Sequence, residues 1–185
     1  MMQLLFSTPV VRTQLGLTDE ERQVLKEKTL AVYGELNPHR KPWSRSSRES
    51  LEAVDPVFAD LFARIKAVTK ASFGVDVTTI TGREVVQFKG DFVPPHVESS
   101  HLSAVYWVDG DAQPDPERGE YDGALVLQSP SGPYGSKALP GENRVAMIHP
   151  QPDLLLVFPS HLLHFGHVYR GERPSVEIHL EMEVL

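Results

Sequence analysis

Residues 175–184 read Ser175-Val176-Glu177-Ile178-His179-Leu180-Glu181-Met182-Glu183-Val184. Apolar and polar side chains alternate without a break. Successive side chains of an extended chain point to opposite faces. Val176, Ile178, Leu180, Met182 and Val184 therefore form one face, and Ser175, Glu177, His179, Glu181 and Glu183 the other. The pattern predicts a strand with one face on the core. Carried two residues back, the same period places Arg173 beside Ser175 on the polar face.

Working back along the chain, short runs rich in β-branched and aromatic residues alternate with Gly, Pro and Asp clusters. They predict strands over 76–81, 84–88, 101–108, 124–128, 145–148 and 154–158. Two longer loops interrupt them, an acidic one over 109–123 and a Gly/Pro-rich one over 129–143. The first third is different. Thr18 followed by Glu21 is a capping-box pattern, and Leu25, Leu30, Val32 and Leu36 recur at helical spacing, which predicts a helix over 19–36. Asp55-Pro56 supplies an N-cap with Pro at the first helical position. Val57, Phe58, Leu61, Phe62, Ile65 and Val68 then share one face of a helix over 56–73, which Gly74 ends. The polar stretch 37–50, with His39, Pro42 and Trp43, reads as a loop. Seven strands after two helices suggest a mainly β (α+β) fold, a sandwich, jelly roll or barrel, with the two helices packed on one sheet.

The length of 185 residues suits a single domain, 1–185, with a helical part over 1–74 and a β core over 75–185. A net charge of −7 disfavours nucleic-acid or membrane-surface partners. The absence of cysteine excludes disulfides, thiolate metal sites and a Cys nucleophile. No apolar run has the length of a membrane helix and no signal peptide is visible, so a soluble, cytoplasmic protein is expected.

The strong metal ligands left are imidazoles and carboxylates. Of eight histidines, all but His39 lie between positions 96 and 179. In His96-Val97-Glu98 an extended backbone turns both functional side chains to one side. A third ligand has to come from His161, His164 or His167, next to the apolar run 154–158. Two His and one carboxylate leave three positions open on an octahedral ion, the arrangement of non-heme Fe(II) oxygenases. Arg173-Pro174-Ser175 then offers a guanidinium fork and a hydroxyl suited to a carboxylate. Taken singly, each of these residues has a plainer reading. His96 alone suits a surface or structural role, His101 and His179 a strand face, Tyr106 and Trp107 the core. Arg83, Gln87, Tyr106 and Trp107 are candidates to touch substrate or co-substrate, His179 to line the cavity, and Arg170 is a rival to Arg173 that lacks the following Ser.

The ordered set His-x-Glu, His, Arg-x-Ser resembles the motif of the 2-oxoglutarate/Fe(II)-dependent oxygenases. The stretches Leu102-Ser103-Ala104-Val105-Tyr106-Trp107, Gly123-Ala124-Leu125-Val126, Phe158-Pro159-Ser160-His161-Leu162-Leu163-His164 and Arg173-Pro174-Ser175 are similar to a compact bacterial and phage branch of that superfamily, as is the opening Phe6-Ser7-Thr8-Pro9-Val10. The resemblance implies a double-stranded β-helix (a jelly roll, cupin-like). It implies iron held by His96, Glu98 and His164, which are also the implied catalytic residues. It implies 2-oxoglutarate as co-substrate, its far carboxylate held by Arg173 with Ser175, and O2 as oxidant. Glu98 departs from the superfamily's usual Asp. The implied activity is hydroxylation of a C–H bond with release of succinate and CO2. The expected substrate is a small molecule, an amino acid or biosynthetic intermediate, with a peptide or protein side chain next. Two other classes stay open. One is a cupin-type metal-dependent dioxygenase or isomerase without 2-oxoglutarate. The other is a non-catalytic jelly-roll binding protein. Oligomeric state is left open, a homodimer included.

Overall fold

The computed structural model describes residues 8–37, 50–130 and 144–185. His39, Pro42 and Trp43, the opening as far as Ser7 and most of the 129–143 loop lie outside the described residues. Eight strands and three helices are formed. In chain order they are β1 (Val11–Gln14), α1 (Asp19–Leu36), α2 (Leu51–Val54), α3 (Val57–Phe73), β2 (Val77–Gln87), β3 (Leu102–Asp109), β4 (Leu125–Gln128), β5 (Val145–Ile148), β6 (Leu154–Pro159), β7 (Leu163–Gly166) and β8 (Ser175–Val184). They build a five-stranded sheet in the order β1-β6-β3-β8-β2 and a three-stranded sheet in the order β5-β4-β7. All the pairings are antiparallel. The result is a jelly roll with helices on one side.

The helices begin and end where their caps put them. The Thr18 hydroxyl accepts from the Glu21 amide at 3.1 Å, and the Glu21 carboxylate accepts from the Thr18 amide at 2.7 Å. The Asp55 carboxylate accepts from the Val57 amide at 3.0 Å, and Gly74 closes α3 with φ +72°. Such caps satisfy amides and carbonyls that helix ends would otherwise orphan.

The large sheet is covered on both faces. One face, with Ile80, Ala104, Tyr106, Val157, Val176, Ile178, Leu180 and Met182, packs on Leu25 and Val32 of α1, Leu51 of α2 and Phe58, Leu61, Phe62 and Ile65 of α3. Each of the Val, Leu, Ile, Phe and Met side chains contributes about 1.5–3 kcal/mol by leaving water. The other face brings Val105, Trp107, Leu154, Leu156 and Phe158 against Leu125, Leu127 and Ile148 of the small sheet. The alternation of β8 thus sends its apolar residues toward the helices. Its polar residues Ser175, Glu177 and His179 go into the space between the sheets, where they too are buried.

Four expectations are corrected. The segment 1–74 is not wholly helical, because β1 pairs with β6; four residues show too little alternation to be read as a strand. A third helix, α2, of one turn precedes α3. The predicted strands 76–81 and 84–88 are one strand, β2, running through Gly82. A Cβ on Gly82 would stand 2.3 Å from Cζ of Phe62, so this glycine marks a close helix–sheet contact and not a turn. An eighth strand, β7, falls where no strand was predicted, and it carries His164.

Candidate metal centre

His164 lies in β7, and the chain at 93–98 runs antiparallel beside that strand. The His96 amide donates to the His164 carbonyl and the His164 amide to the His96 carbonyl, each at 3.0 Å. Further along, the Gly166 amide donates to Val93 at 2.9 Å and the Glu98 amide to Ser160 at 3.1 Å. This ladder brings residues 96 and 98 to 164 across a long stretch of chain. The hydroxyl of Ser160 supports it from behind, 2.9 Å from that of Ser100 and 2.8 Å from that of Ser103.

The two imidazole rings lie 4.1 Å apart between centroids. Nδ1 of His96 is 2.8 Å from the Pro94 carbonyl, and Nδ1 of His164 is 2.9 Å from the Leu162 carbonyl. A carbonyl oxygen only accepts, so each ring donates from Nδ1 and, when neutral, keeps its lone pair on Nε2. Backbone anchoring of one imidazole nitrogen is how metal-ligating histidines are usually oriented. Burial pushes the pKa of His164 down to about 4, with the nearby His96 ring acting in the same direction. The ring is therefore neutral and able to ligate at pH 7. Phe158 meets it edge-on at 4.9 Å and closes one side with an apolar wall.

Glu98 is the third member. Its Oε1 lies 3.5 Å from Nε2 of His96, the same-side placement expected of residues two apart. It is not alone there. Arg83 donates from Nη2 to the same oxygen at 2.8 Å and from Nη1 to Glu181 at 2.9 Å. Among the described residues, no three or more His, Asp or Glu side chains are already placed to hold a metal ion together. The chemistry of the donor set nonetheless suits a divalent ion: two adjacent imidazoles are each anchored through Nδ1, and a carboxylate lies beside one of them. Sequence reasoning put Arg83 only among residues near substrate; its place beside Glu98 needed the β2 register.

Next to this cluster, the interior face of β2 and β8 carries a second polar group. The buried Glu177 accepts from Gln87 at 2.7 Å and from Ser175 at 2.8 Å, and lies 2.9 Å from Nε2 of His179. Burial lowers the pKa of His179, and the Glu177 contact opposes this. Gln87 Oε1 and Trp107 Nε1, both on this face, are buried without a hydrogen-bond partner.

Arg173 and Ser175 part company. β8 begins only at Ser175, because Pro174 brings no amide to the ladder. The Arg173 amide donates to both Asp111 carboxylate oxygens, at 3.2 and 3.1 Å. The Arg173 guanidinium, 57% exposed, lies against Asp109 at 3.4 Å and Asp111 at 3.6 Å. The Ser175 hydroxyl faces inward to Glu177. The shared face expected of the pair is therefore absent in this conformation.

The other histidines sit elsewhere. His161 is exposed. His167 stacks on Tyr121 at 5.0 Å, and His101 pairs with Glu183 at the surface. Tyr106 and Trp107 are core residues, on opposite faces of β3. Arg170 is exposed, its amide held by Asp122 at 2.6 Å.

No family model matches the chain, and no curated protein matches it in sequence. Its architecture does have counterparts. A prolyl-4-hydroxylase of Pseudomonas putida superposes with a TM-score of 0.64 at 14% identity, covering 96% of this chain and 89% of that one. HygX of Streptomyces hygroscopicus, with nickel and 2-oxoglutarate bound, gives 0.64 at 13% identity, covering 95% and 82%. The fold is that of the 2-oxoglutarate/Fe(II)-dependent oxygenases. Another similar structure in this oxygenase group is SnoN, a non-heme alpha-ketoglutarate-dependent epimerase from nogalamycin biosynthesis, at 0.61 and 14% identity, covering 95% and 79%. No helix among the described residues is long and apolar enough to cross a membrane.

Proposed function

We propose that this chain is a non-heme Fe(II)- and 2-oxoglutarate-dependent oxygenase that hydroxylates a C–H bond of a small molecule, an amino acid or biosynthetic intermediate. A cytoplasmic location belongs to this reading; a nucleic-acid or membrane partner does not. His96, Glu98 and His164 would hold the iron. The observation that carries the proposal is the His96–His164 backbone bridge, with both Nδ1 atoms occupied by carbonyls and both Nε2 atoms left to ligate. It occurs in an architecture shared with HygX, which was captured with nickel and 2-oxoglutarate.

When bound, iron with 2-oxoglutarate and O2 supplies the oxidising power, with succinate and CO2 as by-products. The protein's share is placement. His164, neutral through burial, offers a lone pair without competing for a proton. Glu98 brings negative charge to a site otherwise lined by imidazole rings. Phe158 and Leu162 exclude water on one side. Arg173 and Ser175 would hold the far carboxylate of 2-oxoglutarate, which requires the Arg173 guanidinium to leave Asp109 and Asp111. The unspent donor of Trp107 and acceptor of Gln87 suit a polar molecule lying between the sheets.

The test is succinate release with Fe(II) and 2-oxoglutarate in the wild type, His96→Ala and Arg173→Ala. Turnover in the wild type, lost in His96→Ala and strongly reduced in Arg173→Ala, is the expected result. Equal turnover in all three rejects the assignment. A second reading, a metal-dependent dioxygenase or isomerase that does not use 2-oxoglutarate, is favoured by the pairing of Arg173 with Asp109 and Asp111. It predicts metal binding indifferent to 2-oxoglutarate.

A further inference from the structure

We infer that Arg83 is a positioning residue for Glu98, fixing its carboxylate toward the imidazole pair so that the three side chains can take up a divalent cation; this rests on the metal-centre reading above. The alternation of β2 sends Arg83 into the space between the sheets, directly across from His179 in β8. There its guanidinium forms a bridge. Nη2 donates to Glu98 and Nη1 to Glu181, so the arginine is anchored at one end and grips the candidate ligand at the other.

Three features argue that the grip matters. Glu98 has one torsion more than an aspartate would, and an untethered glutamate spreads over many rotamers. Its backbone is held by the amide bond to the Ser160 carbonyl, just past β6, which fixes where the side chain starts. The oxygen Arg83 holds, Oε1, is also the one 3.5 Å from Nε2 of His96. Arg83 therefore holds the carboxylate oxygen that faces the imidazole. A planar guanidinium with donors on two sides can bridge two carboxylates in fixed geometry, which an ammonium cannot do equally well.

The charges are compatible with a cation. Glu98, Arg83 and Glu181 together carry one net negative charge, because Glu181 offsets the guanidinium. Two effects of removing Arg83 have opposite sign. A purely electrostatic role makes Arg83 a repulsive neighbour of the metal, and its loss tightens binding. A positioning role makes its loss weaken binding. The direction of the change decides.

The experiment measures the dissociation constant for Mn(II) on the full-length, metal-free protein, by the loss of the free-ion electron paramagnetic resonance signal. Wild type, Arg83→Lys and Arg83→Met are compared, with melting temperatures of the metal-free proteins as a folding control. Arg83→Met is expected to bind roughly 10–100-fold more weakly, the range typical for residues supporting a metal ligand. Arg83→Lys, which keeps the charge on a single donor nitrogen but not the planar fork, should fall between the two. If Arg83→Met does not fold, Arg83→Lys decides: weaker binding than wild type supports positioning. Binding as tight as wild type, or tighter, in the folded variants overturns it. A wild type that takes up no Mn(II) stoichiometrically overturns the metal centre itself, a result distinct from wild-type binding that Arg83 substitutions leave unchanged.

Discussion

His164 illustrates how position alone tunes a side chain. Its ring is buried beside Phe158 and His96, and its pKa falls to about 4, while in the unfolded chain it titrates near the ordinary value of 6.5. Between those two values the unfolded chain binds a proton that the folded chain refuses. His164 therefore lowers stability as pH falls below about 6.5, and the loss is complete near pH 4. For the metal-free protein this single group should remove about 2 kcal/mol between pH 7 and pH 5. His179, whose pKa is lowered by burial, acts in the same direction. Urea unfolding at the two pH values checks this: His164→Gln should lose less stability over the interval than wild type. An equal loss would mean that His164 titrates normally. At this scale the sequence was informative about residue type and blind to partnership. His96, Glu98 and His164 could be singled out because a metal needs imidazole and carboxylate. The Arg83–Glu98 contact could not, since it joins two segments whose register no local pattern specifies. Arg173 is the converse. Alternation counted back from Ser175 put its side chain beside that of Ser175 on the polar face, but Pro174 and the Asp111 carboxylate end the strand first and turn it toward Asp109 and Asp111.

Among the elements, β2 and α3 depend on one another through Gly82. The phenyl end of Phe62 lies where a side chain on residue 82 would begin, and Phe62 is 1% exposed. Replacing glycine by alanine in a strand ordinarily restricts the unfolded chain and stabilises. Here the overpacking dominates, and Gly82→Ala should destabilise by about 1–3 kcal/mol in urea unfolding. Adding Phe62→Leu should recover part of that loss, because the two sites share one space. Full additivity would show that the contact is not made. Strong periodicity made α1, α3 and β8 legible, with ends that coincide with caps or alternation. Gly82 was misread as a break because glycine signals a turn and a close contact alike. β7 was missed for another reason. Leu163-His164-Phe165-Gly166 is short and mixed, and it is a strand only because β4 and the 93–98 segment pair with it. The element that carries a candidate ligand is thus stabilised almost wholly by its neighbours.

In the molecule as a whole, two cores share one sheet. The helix-side core is continuous and mostly apolar, with Glu84 buried at its edge, and it fixes the large sheet. The interior between the sheets is mixed, with Arg83, Gln87, Ser175, Glu177 and His179 set among Val105, Trp107, Leu156 and Phe158. Buried polar groups of this density destabilise a fold unless they are paired, and on the proposed function they line the site. The most direct measurement is diffraction from crystals grown with Mn(II) and 2-oxoglutarate, recorded for the anomalous signal of manganese. The expected result is a single strong peak bonded to Nε2 of His96, Nε2 of His164 and a carboxylate oxygen of Glu98. A peak elsewhere, or those three side chains turned away from one another with no peak between them, would contradict it.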